Sequence, residues 1–139
     1  MKNLLLALLI TTFGAHAANA QSALLGRWKA DDNDGYMEVY QKGGKYYGKL
    51  LNTPMEDGKP KLDKKNPVAA QRSKPLHGIN IIAGFEAVDK NEFENGTIYD
   101  PTTGKSYKGR IRIKGSVMEL RGYIGSPVFG RTVVWRRAS

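Results

Sequence analysis

This sequence predicts an all-β fold, an antiparallel up-and-down barrel of about eight strands, and three observations carry that expectation. Short runs rich in Val, Ile, Tyr, Phe and Trp recur along the chain, which is the composition of half-buried strands. Gly, Asn and Asp punctuate those runs at close intervals. No segment sustains apolar residues at i, i+3, i+4 and i+7, so helix content should be low. Strands joined mostly by short hairpins can close on themselves and remove their exposed edges.

The strands are predicted at 24–30, 36–41, 45–51, 79–85, 93–100, 105–114, 117–124 and 130–136. Between them stand Asn33-Asp34-Gly35, Lys42-Gly43-Gly44, Asn95-Gly96, the turn from Pro101 to Gly104, and Lys114-Gly115-Ser116. Each supplies Gly where a reversal needs positive φ. One connection breaks the rhythm. Residues 52–78 hold four prolines and many Lys and Arg residues. Connections of this length are functional or disordered, and this one is the only lid that the sequence offers.

The chain opens with Lys2, an apolar run over 4–13, and small residues ending in Ala18-Asn19-Ala20. This is the pattern of a secretory signal peptide cleaved near Ala20, because the run is too short to cross a bilayer. Ala15-His16-Ala17 offers a second cut, and no Cys follows to carry a lipid anchor. The expected mature chain, 21–139, has 119 residues, suited to one domain. It keeps 21 Lys and Arg against 13 Asp and Glu, a net of +8, and His77 as its only histidine. With no cysteine in the chain, disulfides, thiolate chemistry and Cys-based zinc sites are excluded. The expected address is a bacterial periplasm or the medium beyond it, with no transmembrane span left after cleavage.

Several motifs look like chemistry and fail on inspection. Gly104-Lys105-Ser106 has the closing letters of a phosphate-binding loop, but the first Gly of that pattern would fall on Tyr99, and a strand rather than a helix follows. Asp31 could begin a calcium loop, yet its sixth position is not Gly and its twelfth is Lys42. His77 has no second histidine for a metal site and no nucleophile elbow nearby. Glu119 stands mid-strand, with Asp100 as the one candidate partner for a glycosidase pair. The simpler reading has Asp100 capping its own turn and Glu119 pairing with a cation on the next strand. The chain therefore offers no catalytic set, no metal ligands and no cofactor motif.

The stretches Gly26-Arg27-Trp28, 46–50 (YYGKL), 66–78 (NPVAAQRSKPLHG), 96–107 (GTIYDPTTGKSY), 121–125 (RGYIG) and 129–137 (FGRTVVWRR) follow one another in a specific order. Together they resemble the bacterial exported family of unknown function numbered 2147, over nearly the whole mature chain. The resemblance implies a calycin-like barrel, as in lipocalins, and no established activity. Many lipocalins begin with G-x-W and lay an Arg of the last strand over that Trp. Trp28 opens the first strand here, and Arg136 and Arg137 end the last. Trp28, Trp135 and Arg136 are therefore expected to close one end of the barrel, through a cation–π contact of roughly 0.5–2 kcal/mol.

Alternation decides the walls. Lys108, Arg110, Arg112 and Lys114 share one face of their strand and should meet solvent, with Ile111 and Ile113 inside. Met118 and Leu120 oppose Arg121 and Tyr123, so either pair can face the lumen; placing Arg121 inside gives an anchoring cation. A small hydrophobic or amphipathic anionic ligand, bound without catalysis, would use Tyr47, Arg72, Tyr99, Arg121, Tyr123 and Arg131. Arg72 is expected to tie the lid at 52–78 to the barrel. The rival is a basic envelope protein that holds polyanions, lipopolysaccharide or acidic glycan, on its outer Lys/Arg surface. No feature calls for a specific nucleic-acid partner.

Overall fold

The computed structural model describes residues 23–32, 34–52 and 54–139; the expected signal peptide and its cleavage site lie outside them. Among the described residues ten strands form: β1 (Gly26–Ala30), β2 (Tyr36–Lys42), β3 (Lys45–Leu50), β4 (Met55–Glu56), β5 (Lys59–Pro60), β6 (Asn80–Asp89), β7 (Glu92–Asp100), β8 (Lys105–Lys114), β9 (Val117–Tyr123) and β10 (Arg131–Arg137). Eight of them close an antiparallel barrel in the order β1-β10-β9-β8-β7-β6-β3-β2, and β4 and β5 form a separate two-stranded ribbon. Among the described residues no helix is long and apolar enough to cross a membrane.

Three local features depart from the sequence expectation. The first concerns Asn95-Gly96, which does not turn the chain. Strand β6 runs on to Asp89, the reversal comes before Glu92, and Asn95 sits at φ 67 where the pairing of β7 with β8 shifts register. Asn tolerates the left-handed region, so the same letters serve a bulge as well as a hairpin. The second is β4–β5. Asp57 and Gly58 both take positive φ (54 and 76) between these strands, the requirement of a type I′ turn. The third is β10, which ends on Arg137 rather than Arg136, and this decides which cation closes the barrel.

Period-two alternation fills the interior. Met37, Val39, Tyr46, Ile82, Phe85, Phe93, Ile111, Ile113, Met118, Leu120 and Trp135 turn inward and are buried. Tyr46 meets Phe93 edge to face, with centroids 5.2 Å apart. Phe85 needs room that only glycine gives: a Cβ on Gly96 or Gly109, on the facing strands, would collide with its ring. Burying a side chain of this size contributes about 1.5–3 kcal/mol.

The strand ends carrying Trp28, Ile113 and Arg137 are closed. Trp28 is fully buried and donates from Nε1 to the Leu24 carbonyl at 2.9 Å. The Arg137 guanidinium lies 4.0 Å from the Trp28 ring centroid and donates to the carbonyls of Leu25 and Ala23. Arg136 does not take that place. Trp28 pairs with Arg137 and Lys29 with Arg136, so Arg136 points outward and meets Asp31 at 2.8 Å.

Candidate functional site

At the other end the strands leave a cavity of about 820 Å³. Leu50, Ile81, Ile82, Ile98, Leu120 and Val133 form its wall, and Trp135 lies beneath them. Polar groups are confined to the rim: Tyr99, Asp100, Thr102 and Thr103 at the β7–β8 turn, Tyr107 on β8, and Asp32 beside β1. Ile124, Phe129 and Arg131 complete it on the β9–β10 side. An apolar cup with a few polar groups at its mouth is how small-molecule sites are commonly built.

Among the expected site residues, the structure brings Tyr99, Tyr123 and Arg131 to this mouth. Arg131 shares the inward register of Val133 and Trp135, is exposed at the lip, and makes no ion pair or side-chain hydrogen bond with the described residues. Tyr123 closes β9 opposite Lys108. Tyr99 has a second partner, because its hydroxyl donates to Asp63 Oδ1 at 2.6 Å. Burial first, and then the Asp63 carboxylate, push the Tyr99 phenol up to about 12.

Tyr47, Arg72 and Arg121 do not belong to the cavity. Tyr46 takes the inward position on β3, so Tyr47 lies on the outer wall and stacks on Tyr40 with centroids 5.7 Å apart. Arg121 is also outside, because Met118 and Leu120 fill the inward register of β9. Its guanidinium donates to the Pro127 carbonyl at 2.7 Å and to Thr132 Oγ1 at 2.7 Å. It therefore braces the turn after β9 from outside the cavity. Arg72 donates from Nε to the Asn66 carbonyl at 2.7 Å and from Nη2 to the Pro67 carbonyl at 3.3 Å, which closes the connection on itself.

That connection does not cover the mouth in this structure, since none of its described residues lines the cavity. It is a built structure docked on the rim. Leu62 bridges Pro75, Leu76 is buried, and the His77 Nδ1–H donates to the Leu51 carbonyl at 2.8 Å. Asp63 is buried to 3% exposure and accepts from Tyr99 and from Asn66 Nδ2. Gly104, at φ +76, lies so close to the Lys65 carbonyl that a Cβ there would collide with it. The letters GKS thus mark a tight turn onto which the connection packs. Asp100 caps that turn as expected, accepting from Thr102 N at 2.9 Å and Thr103 Oγ1 at 3.2 Å.

Sequence reasoning missed Asp63, Tyr107 and the aliphatic wall as site residues. Alternation alone would have found the wall. Nothing local marks Asp63, whose partner lies 36 residues away.

A closed up-and-down barrel, plugged at one end by a Trp–Arg stack and hollow at the other, has the architecture of the lipocalin-like barrels. The chain belongs to the family described as uncharacterized proteins conserved in bacteria, DUF2147, whose profile matches residues 26–137. It is similar in fold to protein HP1028 from Helicobacter pylori, described as a member of the lipocalin family. The TM-score is 0.75, with 24% identity over 84% of this chain and 83% of that one. No curated protein matches the chain.

Proposed function

We propose that this protein is an exported binding protein that holds a small hydrophobic or amphipathic, anionic molecule in its barrel without changing it. The observation that carries this reading is the cavity: aliphatic walls below, with Arg131 at the lip and free of ion pairs among the described residues. An apolar tail would bury against Ile82, Ile98, Leu120 and Val133, and an acidic head would meet Arg131 beside the phenols of Tyr99 and Tyr107. The lipocalin-like fold supports the same class of function, and the leader sequence supports export to the periplasm or medium.

The rival reading, a polyanion spread over the outer barrel wall, has less support. Wall cations there are matched by acids: Arg110 with Glu94 at 3.5 Å, Arg112 with Glu92 at 3.5 Å, and Lys114 with Glu119 at 3.4 Å. The deciding experiment is native mass spectrometry of the mature protein purified from its own periplasm, with denaturing extraction in parallel. A stoichiometric small molecule, retained when native and released on unfolding, is the expected result. A bare protein mass, together with no uptake of anilinonaphthalene sulfonate, would remove the reading.

A further inference from the structure

Exposed large apolar side chains are not scattered over this protein. Among the described residues they are Tyr36, Met55, Val68, Val88, Ile124, Val128 and Phe129. Only Val88, near the end of β6, lies at the closed end. Tyr36 begins β2 at the mouth, and Met55 and Val68 belong to the connection docked there by Tyr99–Asp63. Ile124, Val128 and Phe129 form the lip between β9 and β10, at 72%, 77% and 83% exposure. The lip is shaped rather than loose. Ser126 caps the Pro127–Phe129 turn, and Arg121 holds its carbonyls from outside.

Charge is distributed in the same sense. Along the wall, Arg27, Lys49, Arg110, Arg112 and Lys114 pair with glutamates. At the mouth end, the side chains of Lys59, Lys65, Lys74, Lys105 and Arg131 make no ion pair with the described residues. Acids at this end are largely engaged: Asp31 with Arg136, Glu56 with Lys64, Asp63 with Tyr99, and Asp100 within its own turn. Asp32 and Asp34 on the β1–β2 turn and Asp57 on the β4–β5 turn add acid at this end, and Asn52 at the start of the connection donates to the Asp34 carbonyl at 2.8 Å. Cations without an ion pair also occur elsewhere, as at Lys108 on the wall and Lys42, Lys45 and Lys90 at the closed end, but among the described residues only the mouth combines such cations with a cluster of projecting apolar tips.

We propose that the mouth end is a docking face for an anionic lipid bilayer. Ile124, Val128 and Phe129 enter the acyl boundary while Lys65, Lys74, Lys105 and Arg131 meet the headgroups. Docking needs no ligand in the barrel. Its consequence does rest on the carrier reading above: Ile124 and Phe129 also line the cavity, so an amphipathic guest could pass between bilayer and barrel without leaving apolar contact.

The test is sedimentation of the mature protein with vesicles of phosphatidylcholine, with and without phosphatidylglycerol. Binding should require phosphatidylglycerol and weaken with salt. Val128→Asp/Phe129→Asp should reduce it by roughly tenfold or more, given the burial of two apolar side chains. Lys65→Glu/Lys105→Glu should abolish the preference for the anionic lipid, and Val88→Asp should leave binding unchanged, each variant keeping a native circular dichroism spectrum. Binding indifferent to lipid charge, or unaffected by the lip variants, overturns the proposal. So does concentration-dependent dimerisation that Phe129→Asp abolishes, which would give the lip to a second copy of the chain. Uptake of anilinonaphthalene sulfonate, read separately, tests the cavity: its failure with vesicle binding intact removes the carrier reading alone.

Discussion

The Tyr99 hydroxyl and the Asp63 carboxylate, 2.6 Å apart, join the rim of the barrel to the connection that follows β3. Tyr99 also lines the cavity, so one side chain both shapes its rim and holds the adjoining segment. Tyr99→Phe removes the donor and leaves a buried carboxylate with Asn66 as its side-chain donor. A buried acceptor deprived of a partner costs about 1–3 kcal/mol. The variant should unfold at lower urea, and amide exchange in 61–66 should quicken while the strands stay protected.

The same pair sets a pH limit. The Tyr99 phenol is raised from 10.0 to about 12 by burial and by Asp63, so folding favours its protonated form. A raised folded-state pKa gives stability that is complete below the unfolded value and lost as pH climbs. The loss should therefore fall between about pH 10 and 12. Urea titrations across that window should show a steeper decline for the native protein than for Tyr99→Phe. Equal slopes would show that the pair contributes nothing to the alkaline limit.

Arg136 and Arg137 are neighbours in sequence and opposites in role. Arg137 stacks on Trp28 and donates to two carbonyls inside the closed end, and burial lowers its pKa from the usual arginine value. Arg137→Ala should cost roughly 1–3 kcal/mol through the lost stack and orphaned carbonyls. Arg136→Ala breaks an exposed pair with Asp31 and should leave the melting temperature close to that of the native protein. A comparable loss from both variants would refute this division.

Parity explains much of what the sequence disclosed. Trp135 and Arg136 are adjacent, so they cannot both face inward on one strand; with Trp135 inside, Arg137 was the legible partner for Trp28. The same rule places Ile111, Ile113, Met118 and Leu120 in the core and Arg121 outside. What alternation cannot supply is pairing across sequence distance. Asp63 sits in a segment with no periodicity, and its burial depends on Tyr99, which reaches it only after β6 and β7 have folded back. The Asn95-Gly96 bulge was hidden for another reason: hairpins and bulges ask for the same left-handed residues.

Gly96 and Gly109 are predicted to be intolerant of alanine although both lie in regular strands. Neither takes positive φ, so the constraint is the Phe85 ring and not the backbone. Overpacking of this kind costs about 1–3 kcal/mol. Phe85→Leu in the Gly109→Ala background should recover part of that loss, although Phe85→Leu alone destabilises. Thermal melts of the four proteins form a double-mutant cycle, and simple additivity would show that ring and glycine are not coupled.

Arg131, Arg121 and Arg72 were all expected to meet the ligand, and the structure separates them. Arg131 shares the inward register at the lip, Arg121 braces Pro127 and Thr132 from outside, and Arg72 holds Asn66 and Pro67. A charge-assisted hydrogen bond to an anionic head contributes about 1.5–3 kcal/mol, which is roughly tenfold or more in affinity. Arg131→Gln should therefore weaken binding of anilinonaphthalene sulfonate by that factor with little change in melting temperature. Arg121→Gln and Arg72→Ala should do the reverse, lowering the melting temperature and leaving affinity intact. Fluorescence titration at low and high salt completes the test: a head group held inside the rim responds weakly to ionic strength, whereas a probe adsorbed on the outer surface is displaced. If Arg121→Gln rather than Arg131→Gln weakens binding, the anion lies on the wall and the cavity is not the site.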